Sequence, residues 1–514
     1  MILFVIIIYL LTSNFGVDMK KNIILIFTDN QQASTLGCYG NKEIHTPNLD
    51  QLSAESVTFD NAYCPNAFCS PCRASLLTGL LPSQHGVHSW IDNRKKEDWP
   101  IGWHALDGLR TLPISLRENG YRTALIGKYH LGETETPMPG FDHWITMEDG
   151  HVRSFYRNKI TENGAIYLHE GHTVDFFTEK ATSFIEKQVE SDQAFFLYLP
   201  YPAPYGHWPA TKETDTCRHT KRYEECPMNS IPREGLSKGA IANYEMVKEF
   251  SGEGMDYSML LSAPNDLATM RNYYSQISMV DDGVGRIVEQ IKSLGIFDNT
   301  LLIFTSDHGL SIGHHGFWGH GAATFPSNLH HAAHSVPLII RNGCDSQFGK
   351  RSKNMVSNMD IYATILDVAG LLENNHEKTI PSRSLVELLN ENNISWVEDA
   401  VFSEQEETRV VRTQKWAYFK RFSNSEVFLF SDELFDVEND PRETRNLIND
   451  SNYAEIVEKL DIMLEDYFSN YSKAEADLWL GGRPKQNSTR KKLWKDVWGP
   501  DWDVVFSYQK NNDG

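Results

Sequence analysis

The stretch "NIILIFTDN", Asn22–Asn30, decides the fold. Its first seven residues are apolar or β-branched after Asn22, with no alternation of polar and apolar positions. A strand that reads this way is buried on both faces. The same character returns in "TALIGK" from Thr123, "FFLYLP" from Phe195, "TLLIFTSD" from Thr300 and "VPLII" from Val336. Helix-period segments lie between these runs, at Val174–Val189, Asp266–Leu294 and Asp360–Ala369. Strands alternating with helices predict an α/β fold, a large and mostly parallel sheet sandwiched by helices. From about Trp396 the texture changes. "AVFSEQEETRVVRTQKWAYFKRF" and "SEVFLFSDELFDVENDP" read as short strands with turns, and a helix follows over Tyr453–Tyr467. The expected organisation is a catalytic-size α/β domain over 19–390, a smaller antiparallel sheet with a helix over 391–475, and a tail over 476–514. The tail holds Trp479, Trp494, Trp498 and Trp502. Their expected use is packing on the main domain; stacking on sugar rings is the alternative.

The chain has 514 residues, of which 40% are hydrophobic and 23% charged, an ordinary globular balance. The formal charge of −21 argues against a nucleic-acid partner, which would call for clustered Lys and Arg. It leaves room for an anionic substrate in a local cationic pocket. The apolar run Ile2–Leu11 is too short to span a bilayer, so no stable membrane insertion is expected. Residues 1–18 read as an export signal of a periplasmic or secreted protein, or as an extension before a cytoplasmic start at Met19. Seven cysteines imply no disulfide scaffold, though Cys217 and Cys226 are near enough to pair.

Two strand ends echo each other. "IILIFTDN" closes on Asp29-Asn30, and "LLIFTSDHG" closes on Asp307-His308. In open α/β sheets the ligand crevice lies beyond the carboxyl ends of the strands. If these strands are neighbours, two Asp, one Asn and one His converge there. Oxygen-rich ligation suits Ca²⁺ or Mg²⁺, and one imidazole also admits Mn²⁺ or Zn²⁺. A lone Asp after a strand is otherwise a common turn cap.

"YCPNAFCSPCRASLLTG", Tyr63–Gly79, holds Cys64, Cys69 and Cys72. The spacing is shared with the first part of a ferredoxin cluster motif, but the next cysteine is Cys217, far along the chain. Pro71 and Gly79 bracket a helix over "CRASLLTG", which puts Cys69 just before a helix N-terminus. Such a place attracts anions and lowers a thiol pKa, and Arg73 adds a fixed cation. A thiolate nucleophile and an anion cradle both fit.

"CSPCRASLLTG" resembles the type I sulfatase signature C-x-P-x-R with its following T-G. "NIILIFTDNQ", "GKYHLG", "TSDHG", "HHGFWGHG" and "ELFDVENDPRETRNL" resemble further segments of that family in the same order. The resemblance implies the alkaline-phosphatase-like fold and a sulfatase acting on sulfate monoesters, with a sulfated carbohydrate or polysaccharide as the expected substrate. It implies that a formylglycine-generating enzyme oxidises Cys69 to formylglycine, whose hydrate attacks sulfur and then expels sulfate by elimination. It implies one divalent metal, Ca²⁺ by expectation with Mg²⁺ or Mn²⁺ as alternatives, held by Asp29, Asn30, Cys69 in its converted form, Asp307 and His308. Arg73 and Lys128 are then the charge-stabilising catalytic residues, His130 the base and His207 the candidate acid for the leaving alcohol.

Three places depart from the pattern. Cys72 stands where Ser is usual. His320 stands where a Lys usually holds the sulfate, and carries full charge only below about pH 6.5. Tyr205 stands where a His often follows a Pro, which makes His207 the nearest substitute. Two other readings stay open on these grounds: a phosphonate monoester or phosphodiester hydrolase of the same superfamily, and a non-catalytic carbohydrate-binding relative. The cluster His314, His315, His330, His331 and His334 reads as pocket lining and loop hydrogen bonding rather than a second metal site.

Overall fold

The structure is a computed structural model that describes residues 20–206, 215–250, 258–345, 347–372, 379–390 and 400–508. The run from Asn22 forms strand β1 (Asn22–Asp29), buried at every position. It lies inside a ten-stranded sheet with β2 (Val57–Tyr63), β3 (Arg122–Gly127), β4 (His143–Met147), β5 (Asn158–Glu162), β6 (Ala165–His169), β7 (Phe195–Pro204) and β8 (Thr300–Ser306). Two short strands, β9 (Ser311–Ile312) and β10 (Trp318–Gly319), pair separately before β11 (Leu338–Asn342) and β12 (Lys350–Ser357) complete the large sheet. The order is β12-β2-β11-β8-β1-β7-β3-β4-β5-β6. The central strands β8, β1, β7, β3 and β4 run parallel. β11 is antiparallel to both neighbours, and β5 and β6 form an antiparallel edge hairpin.

The unbroken apolar sequence of β1 follows from this placement. Ile23, Leu25 and Phe27 enter one core, and Ile24 and Ile26 enter the other. Helices α1 (Cys69–Thr78) and, later in the chain, Ile361–Val368 cover the first face through Leu76, Leu77, Ile361 and Ile365. Helices α2 (Thr173–Glu190) and α3 (Leu267–Ser293) cover the second through Val174, Phe177, Ile277 and Val280. The helix Ile361–Val368 is α4. Its N-terminal turn is tied by a capping box in which Ser357 and Asp360 satisfy each other's backbone.

The C-terminal strands β13 (Ala400–Gln405), β14 (Thr408–Thr413), β15 (Trp416–Arg421) and β16 (Glu433–Asp436) form a four-stranded antiparallel sheet. Successive residues again face opposite cores. Val411, Tyr418 and Leu434 pack under α5 (Ala454–Tyr471), whereas Val410, Phe419 and Phe435 join the core of the large sheet. Of the stretch Ser425–Asp436 only Glu433–Asp436 is paired. Phe428 and Phe430 instead pack on Phe325, with ring centroids 5.6 and 5.3 Å away. The hairpin end of β13 braces the segment that leads into α1: Glu404 N donates to the Pro65 carbonyl, and Asn66 Nδ2 donates to the Glu404 carbonyl. Trp494 and Trp502 are buried with Phe422 and Leu478, and the indole N–H groups of Trp479 and Trp494 donate to the Glu406 carbonyl and carboxylate. Cys217 and Cys226 are both free thiols. Among the described residues no helix is long and apolar enough to cross a membrane.

Many imidazoles are buried or half-buried as neutral rings. Burial pushes His172 and His331 down to about 4 and His314 down to about 3. In the unfolded chain these groups protonate near about 6.5. Their stabilising contribution is therefore full above that value and lost as the pH falls toward 4. At about 1.4 kcal/mol per unit, His331 alone withdraws up to about 3 kcal/mol. The thermal midpoint is expected to fall steeply below about pH 6, and substituting His331 with an uncharged residue such as Gln is expected to recover part of that fall, with His172 and His314 keeping the rest. A midpoint unchanged down to about pH 4.5 would contradict this account.

Candidate active site

Four parallel strands deliver their carboxyl ends to one edge of the sheet. β1 and β8 are adjacent, with Thr28 opposite Ser306, so Asp29-Asn30 and Asp307-His308 emerge side by side. β7, on the other flank of β1, leads into Tyr205, and β3 beyond it leads into Lys128 and His130. The crossing bonds fix this edge. Asn30 N donates to Asp307 Oδ1 at 3.0 Å, Gln31 N donates to the His308 carbonyl at 3.1 Å, and Tyr205 N donates to the Asp29 carbonyl at 2.9 Å.

Cys69 is the first residue of α1, with Phe68 as the cap, one place further into the helix than its sequence predicts. Gly79, in the left-handed region at φ 70°, ends the helix as expected. This seats the Cys69 sulfur over the strand ends. Sγ lies 3.5 Å from Asp29 Oδ1, 3.8 Å from Asn30 Oδ1 and 3.4 Å from His308 Nε2. Ligand atoms of Asp29, Cys69, Asp307 and His308 all fall within 4.8 Å of one another, and all four residues are buried. The donor set fits a cation. His308 Nδ1 faces the Gly309 carbonyl at 2.7 Å, which places the ring proton there and leaves the Nε2 lone pair toward the cluster. Asn30 turns its oxygen to the cluster, while its Nδ2 has no partner among the described residues.

Two cations border the carboxylates. Arg73 Nη2 donates to Asp307 Oδ2 at 3.0 Å and lies 3.7 Å from Asp29 Oδ2; its Nη1 donates to the Lys128 carbonyl at 3.0 Å. Lys128 Nζ is paired with Asp29 Oδ2. Burial pushes the Asp29 carboxyl up to about 7, against the pull of Lys128. Burial also disfavours the Asp307 carboxylate, but His308, Arg73 and Lys128 more than offset this and hold it below the usual range. Burial, with Asp29 beside it, holds the Cys69 thiol well above its ordinary pKa. His130, pushed well down by burial and by Lys128, stays neutral. Its Nε2 faces the Ile91 carbonyl at 3.1 Å, and its Nδ1 has no partner among the described residues. His320 packs its ring on Phe68 at 4.3 Å and lies 5.4 Å from the His308 ring.

Every site residue read from the sequence reaches this edge except His207, which lies outside the described residues. Cys64 and Cys72 are buried; Cys72 donates its thiol proton to the Asp307 carbonyl. Of the histidine cluster, His315 stacks on His330 at 4.4 Å, His330 pairs with Glu433 at 3.2 Å, and His334 Nε2 lies 2.8 Å from the Cys64 carbonyl. Sequence reading missed two residues here. Asn358 Nδ2 bridges the Ser306 and Asp307 carbonyls at 2.8 and 3.1 Å, and the S-x-x-D signal of Ser357–Asp360 marks its turn. His151 stands beside His130 with ring centroids 4.8 Å apart, and no local pattern announces it.

Comparison with known proteins places this geometry. Residues 21–371 match the family described as Sulfatase, and residues 323–470 match the one described as N-sulphoglucosamine sulphohydrolase, C-terminal. The chain is 25% identical to an N-acetylglucosamine-6-O-sulfatase of Bacteroides thetaiotaomicron, over 89% of this chain and 88% of that protein. It is 26% identical to the N-sulphoglucosamine sulphohydrolase of Homo sapiens, over 90% and 91%. A solved structure in complex with its substrate D-glucosamine-2-N,6-O-disulfate shares the fold at TM-score 0.71 and 24% identity, covering 88% of this chain and 98% of that one. A phosphonate monoester hydrolase of Agrobacterium radiobacter also shares it, at TM-score 0.65 and 21% identity, covering 88% and 96%.

Proposed function

Because this chain belongs to the sulfatase family and is a sulfuric ester hydrolase, we propose that its substrate is a sulfate ester carried by a glycan and that Cys69 is the precursor of its nucleophile. The observation that carries this reading is the position of the Cys69 sulfur, 3.4 to 3.8 Å from His308, Asp29 and Asn30 at the start of α1. Held protonated by burial, the thiol itself is a weak nucleophile. Oxidation by a formylglycine-generating enzyme replaces it with an aldehyde, whose hydrate would supply the attacking hydroxyl. A divalent cation on Asp29, Asn30, Asp307 and His308 would add positive charge where the sulfate oxygens lie, with Ca²⁺ favoured by the oxygen-rich set. The glycan is supported by the names of the relatives, which act on sulfated amino sugars. An exported protein fits such a substrate.

The chain's own residues then divide the work. Arg73 and Lys128 neutralise the ester and stabilise charge as it develops on sulfur's oxygens. Their guanidinium and ammonium are already held in place by Asp307 and Asp29, so little reorganisation is needed at the moment of reaction. His130 is neutral with Nε2 engaged, so Nδ1 is the atom that accepts a proton. His320 is the sulfate donor. Its Nδ1 accepts the Ala322 N–H at 3.3 Å, so its ring proton sits on Nε2. A neutral donor in place of an ammonium gives a milder grip. His320→Ala is expected to raise KM for an aryl sulfate about tenfold, and His320→Lys to restore or lower it. Equal KM in all three would remove His320 from the sulfate pocket.

The same weak grip is the observation that favours the second reading, a phosphonate monoester or phosphodiester hydrolase. Steady-state rates on paired aryl sulfate and aryl phosphonate esters decide between them. A kcat/KM that favours the phosphonate would overturn the sulfatase reading.

A further inference from the structure

Expelling a sugar alcohol from sulfur leaves a strongly basic oxygen, so the site needs an acid at the leaving side. His207, the candidate read from the sequence, lies outside the described residues. The described residues above supply cations, a base and a sulfate donor, and none of them fills this place. Tyr205 does. It follows the end of β7 with φ 36°, a conformation that a bulky side chain adopts only when its surroundings impose it. The surroundings are specific. Tyr205 N is tied to the Asp29 carbonyl, and the next carbonyl, of Gly206, accepts the indole N–H of Trp318. A side chain at Gly206 would collide with Leu310, so the turn admits glycine there. The result sets the Tyr205 ring against one of the two cations, with Lys128 Nζ 5.1 Å from its centroid. Its hydroxyl meets His151 Nε2 at 3.0 Å, and the two rings stand edge to face at 88°. His151 in turn lies between His130, at 4.8 Å, and the half-buried Trp90, at 6.2 Å. Tyr205 is buried, and His151 keeps a half-exposed edge.

We propose that Tyr205 is the catalytic acid that protonates the leaving oxygen, and that His151 is the positioning residue that resupplies its proton. The proposal rests on the sulfatase reading and deepens it. As the attacking hydroxyl oxygen supplied at position 69 bonds to sulfur, the S–O bond to the alcohol breaks and its electron pair goes to the alcohol oxygen, which takes the hydroxyl proton of Tyr205. The imidazolium of His151 passes its Nε2 proton to the Tyr205 oxygen and becomes neutral. Solvent at the exposed edge of His151 returns the proton. Nothing is oxidised or reduced, and the alcohol leaves uncharged.

A merely structural brace would slow all substrates alike, whereas an acid matters in proportion to the basicity of what leaves. The test is therefore a series of aryl sulfates, from nitrophenyl to methoxyphenyl, with the metal-loaded, formylglycine-bearing protein. Tyr205→Phe keeps the ring over Lys128 and removes only the hydroxyl. Its loss in kcat/KM is expected to grow from about threefold on the nitrophenyl ester to about 10²-fold on the methoxyphenyl ester. His151→Gln is expected to show the same trend with about a tenth of the span. A loss of equal size across the series, or no loss, would overturn the proposal. So would a leaving-group-dependent loss that appears in His207→Ala and is absent in Tyr205→Phe. Wild-type protein that turns over none of the aryl sulfates overturns the sulfatase reading itself; turnover with a uniform loss overturns the acid assignment alone.

Discussion

Cys69→Ala, made with a formylglycine-generating enzyme co-expressed, is expected to lose about 10⁴-fold or more in kcat on an aryl sulfate with its fold retained. The size of the loss follows from what surrounds the sulfur. Among the described residues the sulfur's neighbours are two carboxylates engaged by Arg73 and Lys128, an amide oxygen and an imidazole, all prospective ligands of the cation and so not free to attack. The fold should survive because alanine suits the first turn of a helix and removes a sulfur whose contacts are all to prospective ligands. Cys69→Ser sharpens the result. A serine hydroxyl placed over the same ligands can attack sulfur once, but it has no second hydroxyl from which elimination could start. It is expected to give a single turnover and then a stable serine sulfate, visible as added mass on the α1 peptide. The wild-type peptide should show the mass decrease of a thiol turned into an aldehyde. Retention of the thiol together with full turnover would overturn the precursor reading, and a dead protein with a retained thiol would leave a non-catalytic relative.

The parts of this molecule that were legible in its sequence are those where one physical demand acts alone. β1, β7 and β8 are buried on both faces, so their composition is unbroken and their place inside a sheet covered on both sides follows. The Asp-bearing ends of β1 and β8 were legible because a polar pair directly after such a run occurs twice, which a turn cap explains less well than a shared ligand. Direction and edges were not legible. β11 opens on an apolar run like that of β8 yet runs against it, since burial on two faces is indifferent to strand polarity. β2 carries Asp60 and Asn61 in its middle, and β5 and β6 are polar or exposed, so none of them announces a strand. Of the site, Cys69, Arg73, Lys128 and His130 are carried by short motifs in which spacing and function coincide. Tyr205 and His151 form a pair across 54 positions, and only the turn after β7 and the loop after β4 bring them together. No local rule predicts a contact made in that way.

Asp307→Asn is the second substitution with a large expected effect, because one carboxylate here serves three purposes. It is a member of the cation cluster, it is the closest counter-charge to the buried Arg73, and its Oδ1 accepts the N–H groups of Asn30 and His308. An asparagine can keep the last of these through its remaining oxygen. It keeps the first only as an uncharged oxygen, and it loses the second. The amide nitrogen, turned toward Arg73 Nη2, opposes two donors, and Arg73 is left with Asp29 at 3.7 Å, which already holds Lys128. Breaking a buried ion pair from one side costs about 3–5 kcal/mol, so the thermal midpoint should drop along with the activity. Losing one anionic ligand and the orientation of Arg73 together is expected to lower kcat about 10³-fold or more. The two effects separate on measurement. Metal content by elemental analysis should fall from one divalent ion per chain to near none, and excess Ca²⁺, Mg²⁺ or Mn²⁺ should restore activity to chelator-treated wild type but not to the variant. If the variant keeps its metal and loses only stability, Asp307 is an anchor for Arg73 rather than a ligand. If wild type keeps full activity after exhaustive chelation with no residual metal, the cluster at the ends of β1 and β8 works through Arg73 and Lys128 alone.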